Sequence, residues 1–140
     1  MQQELSHSST VVISAVDRRR LRKLLASEKP EQSHASTLLH QKLALARILA
    51  PEAMPPDVVT MNSRVLMLEI DSQAEYGFTL SYPWLATDPG NISVLAPVGA
   101  AVLGLARGQE IYWRRRSGRL TGMRVLTILY QPEACGDFDL

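Results

Sequence analysis

Glu28 and Glu31 are the acidic residues whose spacing could serve metal chemistry. They stand three residues apart in "SEKPEQ", so both carboxylates could face one hard cation if the chain presented them together. Lys29 lies between them and Pro30 disrupts a helical spacing, which favours the alternative of two solvated loop acids. Glu28 and Glu31 remain candidate tip acids, at the turn of a helical hairpin described below, and the sequence predicts no metal site.

A second group of residues with chemical potential is the run "RRRSGR", residues 114–119, which we call the arginine turn. Its four guanidinium groups could bind phosphate or an acidic protein surface. The alternative is that they keep a hairpin turn soluble. The sequence leaves both interpretations open, and it does not decide between a protein and a nucleic-acid partner.

Other residues that commonly carry catalysis lack suitable partners. His34 and His40 are six residues apart, which does not place both on one helical face, and His7 lies near the start of the chain. Cys135 is the single cysteine and has no base beside it in the sequence. The segment "VGAAVLGLARG" has neither the lysine of a phosphate loop nor a dinucleotide-binding pattern. We therefore expect no catalytic residue, no cofactor and no small-molecule substrate.

Composition places the chain among globular proteins of one ordinary domain, or of a small domain with an appendage. It has 140 residues, of which 46% are hydrophobic and 21% charged. No apolar run is long enough for a membrane span and the first residues do not resemble a secretory signal, so we expect a cytoplasmic protein with no membrane partner. Residues 1–47 carry eight basic and four acidic side chains, and residues 48–140 carry seven and ten. The basic run "DRRRLRK" has no interleaved aromatic residues, which is more typical of a solvated helical face than of a nucleic-acid binding face.

The elements that would position these residues begin with two helices in residues 1–50. Ser14 and Asp17 form a variant capping box, and Leu21, Leu24 and Leu25 share one face of the helix that follows. A second helix is predicted from Ser33 or Ser36 to about Leu49. The two helices would pair as a short, coiled-coil-like antiparallel hairpin, and the wide apolar stripe of the second implies that it also rests on another part of the chain.

Residues 51–57 are predicted to form a proline-rich hinge, and residues 58–140 a second module. From Val58 the hydrophobic period changes from that of a helix to that of a strand. We predict two hairpins, one of them turning at Ser117 and Gly118, a short helix beginning at Pro97, and a central last strand covered on both faces. The predicted fold class is therefore α+β, with an antiparallel sheet and one short helix.

Three segments of the chain resemble one bacterial family. They are "DVVTMNSRV", "SVLAPVGAAVLGLARGQEIYW" and "LYQPEACGDFDL", and the pattern S-x-x-A-P-x-G-x-A-x-x-G from Ser93 to Gly104 is the most specific part. They are similar to the regulators of nucleoside diphosphate kinase, within the Gre transcript-cleavage and elongation factor superfamily. In residues 1–50 the likeness is one of pattern only.

This resemblance implies an FKBP-like fold for residues 58–140 and a role as a transcription regulator that binds RNA polymerase at its secondary channel. Contact with DNA or RNA would be indirect, within the polymerase complex, and an influence on nucleoside diphosphate kinase levels is also implied. Seven residues are the candidates for docking: Pro97, Gly99, Leu103, Arg107, Arg114, Arg115 and Arg116.

Two alternatives to a non-enzymatic regulator follow from the same resemblance. In Gre factors a long helical hairpin carries two tip acids to the catalytic magnesium, so Glu28 and Glu31 would serve transcript cleavage if this chain worked in that way. A hairpin about 20 Å long would not carry them that far, and we expect no cleavage activity. Peptidyl-prolyl isomerase activity, suggested by the fold name, is disfavoured because fold similarity does not transfer function and only 6% of residues are aromatic.

Overall fold

The computed structural model describes residues 11–27, 34–114 and 116–140, together with the backbone of residues 3–4. Three α-helices and eight strands are formed by these residues. The strands are β1 Gln3–Glu4, β2 Val12–Ser14, β3 Arg47–Leu49, β4 Arg64–Glu69, β5 Glu75–Ser81, β6 Asn91–Ser93, β7 Glu110–Arg114 and β8 Leu120–Tyr130. The helices are α1 Ala15–Ser27, α2 His34–Leu45 and α3 Pro97–Val102. Short 3₁₀ helices span Pro51–Ala53, Pro83–Leu85 and Glu133–Cys135.

Helix α1 begins where the capping pattern predicts. The Asp17 backbone N–H donates to the Ser14 side-chain oxygen at 3.0 Å, which satisfies one of the free donors of the first turn. Leu21 and Leu25 are buried, and Leu24 packs at the edge of the core. The predicted cap and apolar face of this helix are confirmed.

The predicted end of the second helix at about Leu49 is wrong, because α2 ends at Leu45 and Arg47–Leu49 forms β3. This strand pairs parallel with β2, so that Ile13 lies opposite Ile48. The Arg47 N–H donates to the Val11 carbonyl at 2.8 Å. The tertiary pairing with β2 overrides the helical pattern, as tertiary context often does for weak local preferences.

The main sheet has the strand order β1-β7-β8-β4-β5-β6. All neighbours pair antiparallel except β5 and β6, which run parallel, so the sheet is mixed rather than purely antiparallel as predicted. The exception arises because residues 82–90, which contain a 3₁₀ helix and a turn, bring the chain back so that β6 runs beside the last three residues of β5. Strand β8 lies between β7 and β4, as predicted for a central strand. The α+β class is confirmed.

One hydrophobic core joins the helices to the sheet. Ile13, Leu21 and Leu39 pack in the same cluster as the sheet residues Val65 and Ile111. Helix α2 packs against α3 as well as against α1, as the wide apolar stripe predicted. Within the described part of the chain, no helix has the length and apolar character needed to cross a membrane.

Candidate functional site

The segment from Ser93 to Gly104 is shaped by close backbone packing around α3. Pro97 occupies the first turn of the helix, where its missing N–H costs nothing. A Cβ at Gly99 would lie 2.0 Å from the Ser93 carbonyl oxygen, and one at Gly104 would lie 2.2 Å from a Val11 methyl group. Both glycines are therefore required for packing, and Gly104 also has a φ of +82° that favours glycine.

A buried lysine fixes α2 to the end of α3. The Lys42 ammonium nitrogen donates to the carbonyl oxygens of Ala101 at 2.6 Å and Leu103 at 2.7 Å. The side chain is only 4% exposed, and burial lowers the pKa of Lys42 to about 7. Its amine satisfies carbonyls that the short helix leaves free, so it fastens the helical segment to the sheet segment.

A buried carboxylate holds α1 to the turn that precedes β4 in a similar way. An Asp17 carboxylate oxygen accepts a hydrogen bond from the Met61 backbone N–H at 3.1 Å. Burial raises the pKa of Asp17 to about 7, although the Met61 bond acts in the opposite direction. Tyr82 lies nearby, and burial together with the Asp17 charge raises the pKa of its hydroxyl. Buried ionisable side chains thus hold α1 to the turn before β4 and α2 to the end of α3.

The arginine turn is a solvent-exposed hairpin corner whose side chains do different things. Arg114 donates to the Gly118 carbonyl oxygen at 2.7 Å and closes the turn. Arg119 pairs with Asp71 at 3.2 Å, and both side chains are largely exposed, so this ion pair contributes little stability. Arg116 is exposed, and Arg115 lies outside the described residues. Among the described side chains of the turn, Arg116 is the one directed to solvent without a structural bond.

The candidate docking residues fall into two groups at opposite ends of β7. Arg107 precedes the strand and Arg114 ends it, so the two are separated by at least about 13 Å of extended chain. Pro97 and Arg107 are exposed, whereas Gly99 is buried and Leu103 is 1% exposed. Gly99 and Leu103 can therefore act only by supporting the exposed residues around α3.

The two candidate tip acids, Glu28 and Glu31, lie outside the described residues. In the ranges that are described, no group of three or more histidine, cysteine or acidic side chains is placed to hold a metal ion. His34 and His40 are both exposed on α2, and Cys135 is exposed in the last 3₁₀ helix.

Sequence reasoning missed three residues that the structure makes prominent. Lys42 sits three residues after Leu39 and one before Leu43, and this helical spacing could have marked it as a buried lysine. For Asp17 the sequence predicts only a capping role. Its bond to Met61 joins residues far apart in the chain, so no sequence pattern indicates it. Trp84 is 66% exposed and its ring stacks on Tyr82. The two residues are close in sequence, but their spacing did not predict that the rings would stack.

Comparison with known proteins places this architecture among transcription factors. Residues 54–130 match the family model described as "Transcription elongation factor, GreA/GreB, C-term". The chain is 41% identical over 130 residues to a "Regulator of nucleoside diphosphate kinase" from Escherichia coli (strain K12), covering 92% of this chain and 96% of the relative. It is 35% identical over 92 residues to a "Transcription elongation factor GreA" from Chlorobium phaeovibrioides, covering 61% of this chain and 56% of the relative.

A solved structure supports the same relationship. The "Prokaryotic transcription elongation factor GreA/GreB from Nitrosomonas europaea" is 39% identical to the chain, with a TM-score of 0.73. The match covers 88% of this chain and 100% of that one. The likeness therefore extends through the helical segment as well as the sheet.

Proposed function

Because the chain belongs to the GreA/GreB family of transcription elongation factors, we propose that it binds RNA polymerase at the secondary channel and regulates transcription without stimulating transcript cleavage. A cytoplasmic location is part of this proposal. The observation that carries it is the α3 region, which combines the glycine packing of the matched segment with an exposed flank formed by Pro97 and Arg107.

The fixed position of the helices supports a regulator rather than a cleavage factor. Helix α1 has 13 residues and so extends about 20 Å. Its first turn is bonded to Met61, and Leu21 and Leu25 are buried in the common core. Since Leu25 lies near the end of α1, most of this helix packs against the body of the protein and does not project from it.

The relatives suggest where the regulation acts. The similar protein from Escherichia coli bears the name "Regulator of nucleoside diphosphate kinase" and matches over nearly its whole length. We propose that this chain alters nucleoside diphosphate kinase levels through transcription. A contact with the kinase itself is not needed for such an effect.

Two single substitutions separate the possible docking surfaces. Binding of labelled protein to core RNA polymerase is measured by fluorescence anisotropy for Arg107→Glu and for Arg116→Glu, which introduce the same charge change at opposite ends of β7. We expect Arg107→Glu to weaken binding by at least about tenfold, because it reverses a charge beside α3. Arg116→Glu is the matched control for the α3 surface.

A loss confined to Arg116→Glu would move the docking site to the arginine turn. Absence of binding by the unmodified protein would overturn the proposed function.

A further inference from the structure

Trp84 and one side of α1 enclose an open groove of about 370 Å³. Its lining consists of Arg20, Lys23, Leu24, Ser27 and Trp84. Four of these residues come from α1, and the fifth comes from the 3₁₀ helix after β5. The fold thus adds to the basic helix the aromatic side chain that its own sequence lacks.

The indole ring of Trp84 is held in place by Tyr82, which contacts one of its faces. It stacks on Tyr82 with ring centroids 5.0 Å apart and an angle of 2° between the planes. Tyr82 is itself a core residue, 3% exposed, whereas Trp84 is 66% exposed. A large exposed aromatic ring fixed by a buried one is a preformed stacking surface, which loses little conformational entropy when a flat ligand binds.

Positive charge lies beside this ring. Lys23 is exposed in the groove, with no hydrogen bond or ion pair to another described residue. Arg20 donates to the Leu140 carbonyl oxygen and lies near the Asp17 carboxylate, so part of its charge is already used. Arg19 and Arg22, elsewhere on α1, add to the positive potential without lining the groove. Lys23 is therefore the cation best placed for an incoming anion.

We propose that this groove binds a nucleotide, with the base stacked on Trp84 and the phosphates on Lys23, aided by Arg20. A flat ring joined to an anionic tail matches an aromatic surface next to a lysine. The groove volume falls within the range of about 300–1,000 Å³ that is typical of small-molecule sites, which fits one nucleotide better than a strand or a protein helix. The proposal does not depend on polymerase binding.

Isothermal titration calorimetry of the full chain with ATP tests the site. Saturable binding that weakens with added salt is expected, since phosphate contacts are screened. We expect Trp84→Ala and Lys23→Gln each to weaken ATP binding by about tenfold, because each removes one of the two recognition elements. Arg22→Gln is the matched control, since Arg22 is an exposed cation of the same helix outside the groove, and it should change the affinity less than about twofold.

A conservative variant and a second ligand provide further tests of the proposal. Trp84→Phe keeps a stacking ring and should retain most of the affinity, and circular dichroism of each variant checks that the fold is intact. Inorganic triphosphate is expected to bind more weakly than ATP. No heat of binding with ATP, equal affinity for triphosphate and ATP, or an equal loss in Arg22→Gln and Lys23→Gln would each overturn the proposal. Binding of oligonucleotides without binding of ATP would also overturn it and would indicate a nucleic-acid surface instead.

Discussion

Lys42 shows how one side chain can join two parts of a small protein. Its amine bonds two carbonyls at the end of α3 from a position 4% exposed, where a charged form is costly. A neutral amine still has two hydrogens to donate, which matches the two acceptors. The lowered pKa of Lys42 is therefore compatible with both bonds.

Replacing Lys42 by Met should change the pH dependence of stability. The folded-state pKa of Lys42 is about 7, against an ordinary value of 10.5, so between these values the unfolded chain binds more protons and stability rises with pH. The free energy of unfolding of the natural protein, relative to Lys42→Met, should thus increase by about 2 kcal/mol from pH 7 to pH 9. Urea unfolding of both proteins at the two pH values measures it. A difference in unfolding free energy between the natural protein and Lys42→Met that stays constant with pH would contradict the assignment.

Asp17 should have the opposite effect on the pH dependence of stability, and over a lower pH range than Lys42. Its folded-state pKa is about 7 against an ordinary value of 3.8, so the folded chain binds more protons between these values and stability falls as pH rises from 4 to 7. In Asp17→Asn an amide oxygen can still accept from Met61, and this decrease should disappear. Urea unfolding of the two proteins at pH 4.5 and pH 7 tests the expectation. If the variant lost stability relative to the natural protein between pH 4.5 and pH 7, the pKa of Asp17 would not be raised in the folded protein.

At the scale of elements, the turn before α3 depends on Gly99. A Cβ at this position would meet the Ser93 backbone at 2.0 Å, so Gly99→Ala should lower the free energy of unfolding by about 3 kcal/mol through overpacking. Gly108→Ala is the matched control, because Gly108 has a φ of +91° but nothing within 4 Å of its added Cβ. It should cost only about 1 kcal/mol. Thermal or urea unfolding compares the two, and equal losses would show that close packing at Gly99 is not the limiting feature.

The segment between the helices and the sheet is predicted to set their relative orientation. The Gln131 side-chain amide donates to the Pro55 and Val58 carbonyls at 2.7 and 2.8 Å, which ties this segment to the end of β8. Replacing Pro55 and Pro56 by Gly should raise its flexibility and weaken transcriptional regulation more than polymerase binding. Binding and transcription assays on the same protein measure both effects, and equal losses in the two would contradict this role.

The elements that sequence patterns predicted well are those determined locally. The cap at Ser14, the apolar face of α1 and the Ser117–Gly118 hairpin depend on residues close together in the chain. Strand β3 and the parallel pairing of β6 were missed because their partners lie far away or are reached through a loop. For the candidate site, the motif residues Gly99 and Leu103 mark packing rather than an exposed surface, a distinction that only the folded chain reveals.

At the scale of the whole molecule, hydrogen bonds from buried side chains hold both α1 and α2 against the rest of the protein. Asp17 bonds α1 to Met61, and Lys42 bonds α2 to the carbonyls at the end of α3. Such a body could occupy a binding site on a polymerase while its helices keep one orientation. This arrangement is the physical basis for proposing a regulator that competes with longer elongation factors.

The central claim is tested most directly by one competition experiment. Labelled GreA bound to core RNA polymerase is titrated with this protein, and transcript cleavage in stalled elongation complexes is measured in the same samples. We predict that the protein displaces GreA and that cleavage falls in proportion to the displacement. Cleavage that persists after GreA is displaced would contradict the account, because the protein would then supply the metal-holding acids itself, and a failure to displace GreA would contradict binding at the secondary channel.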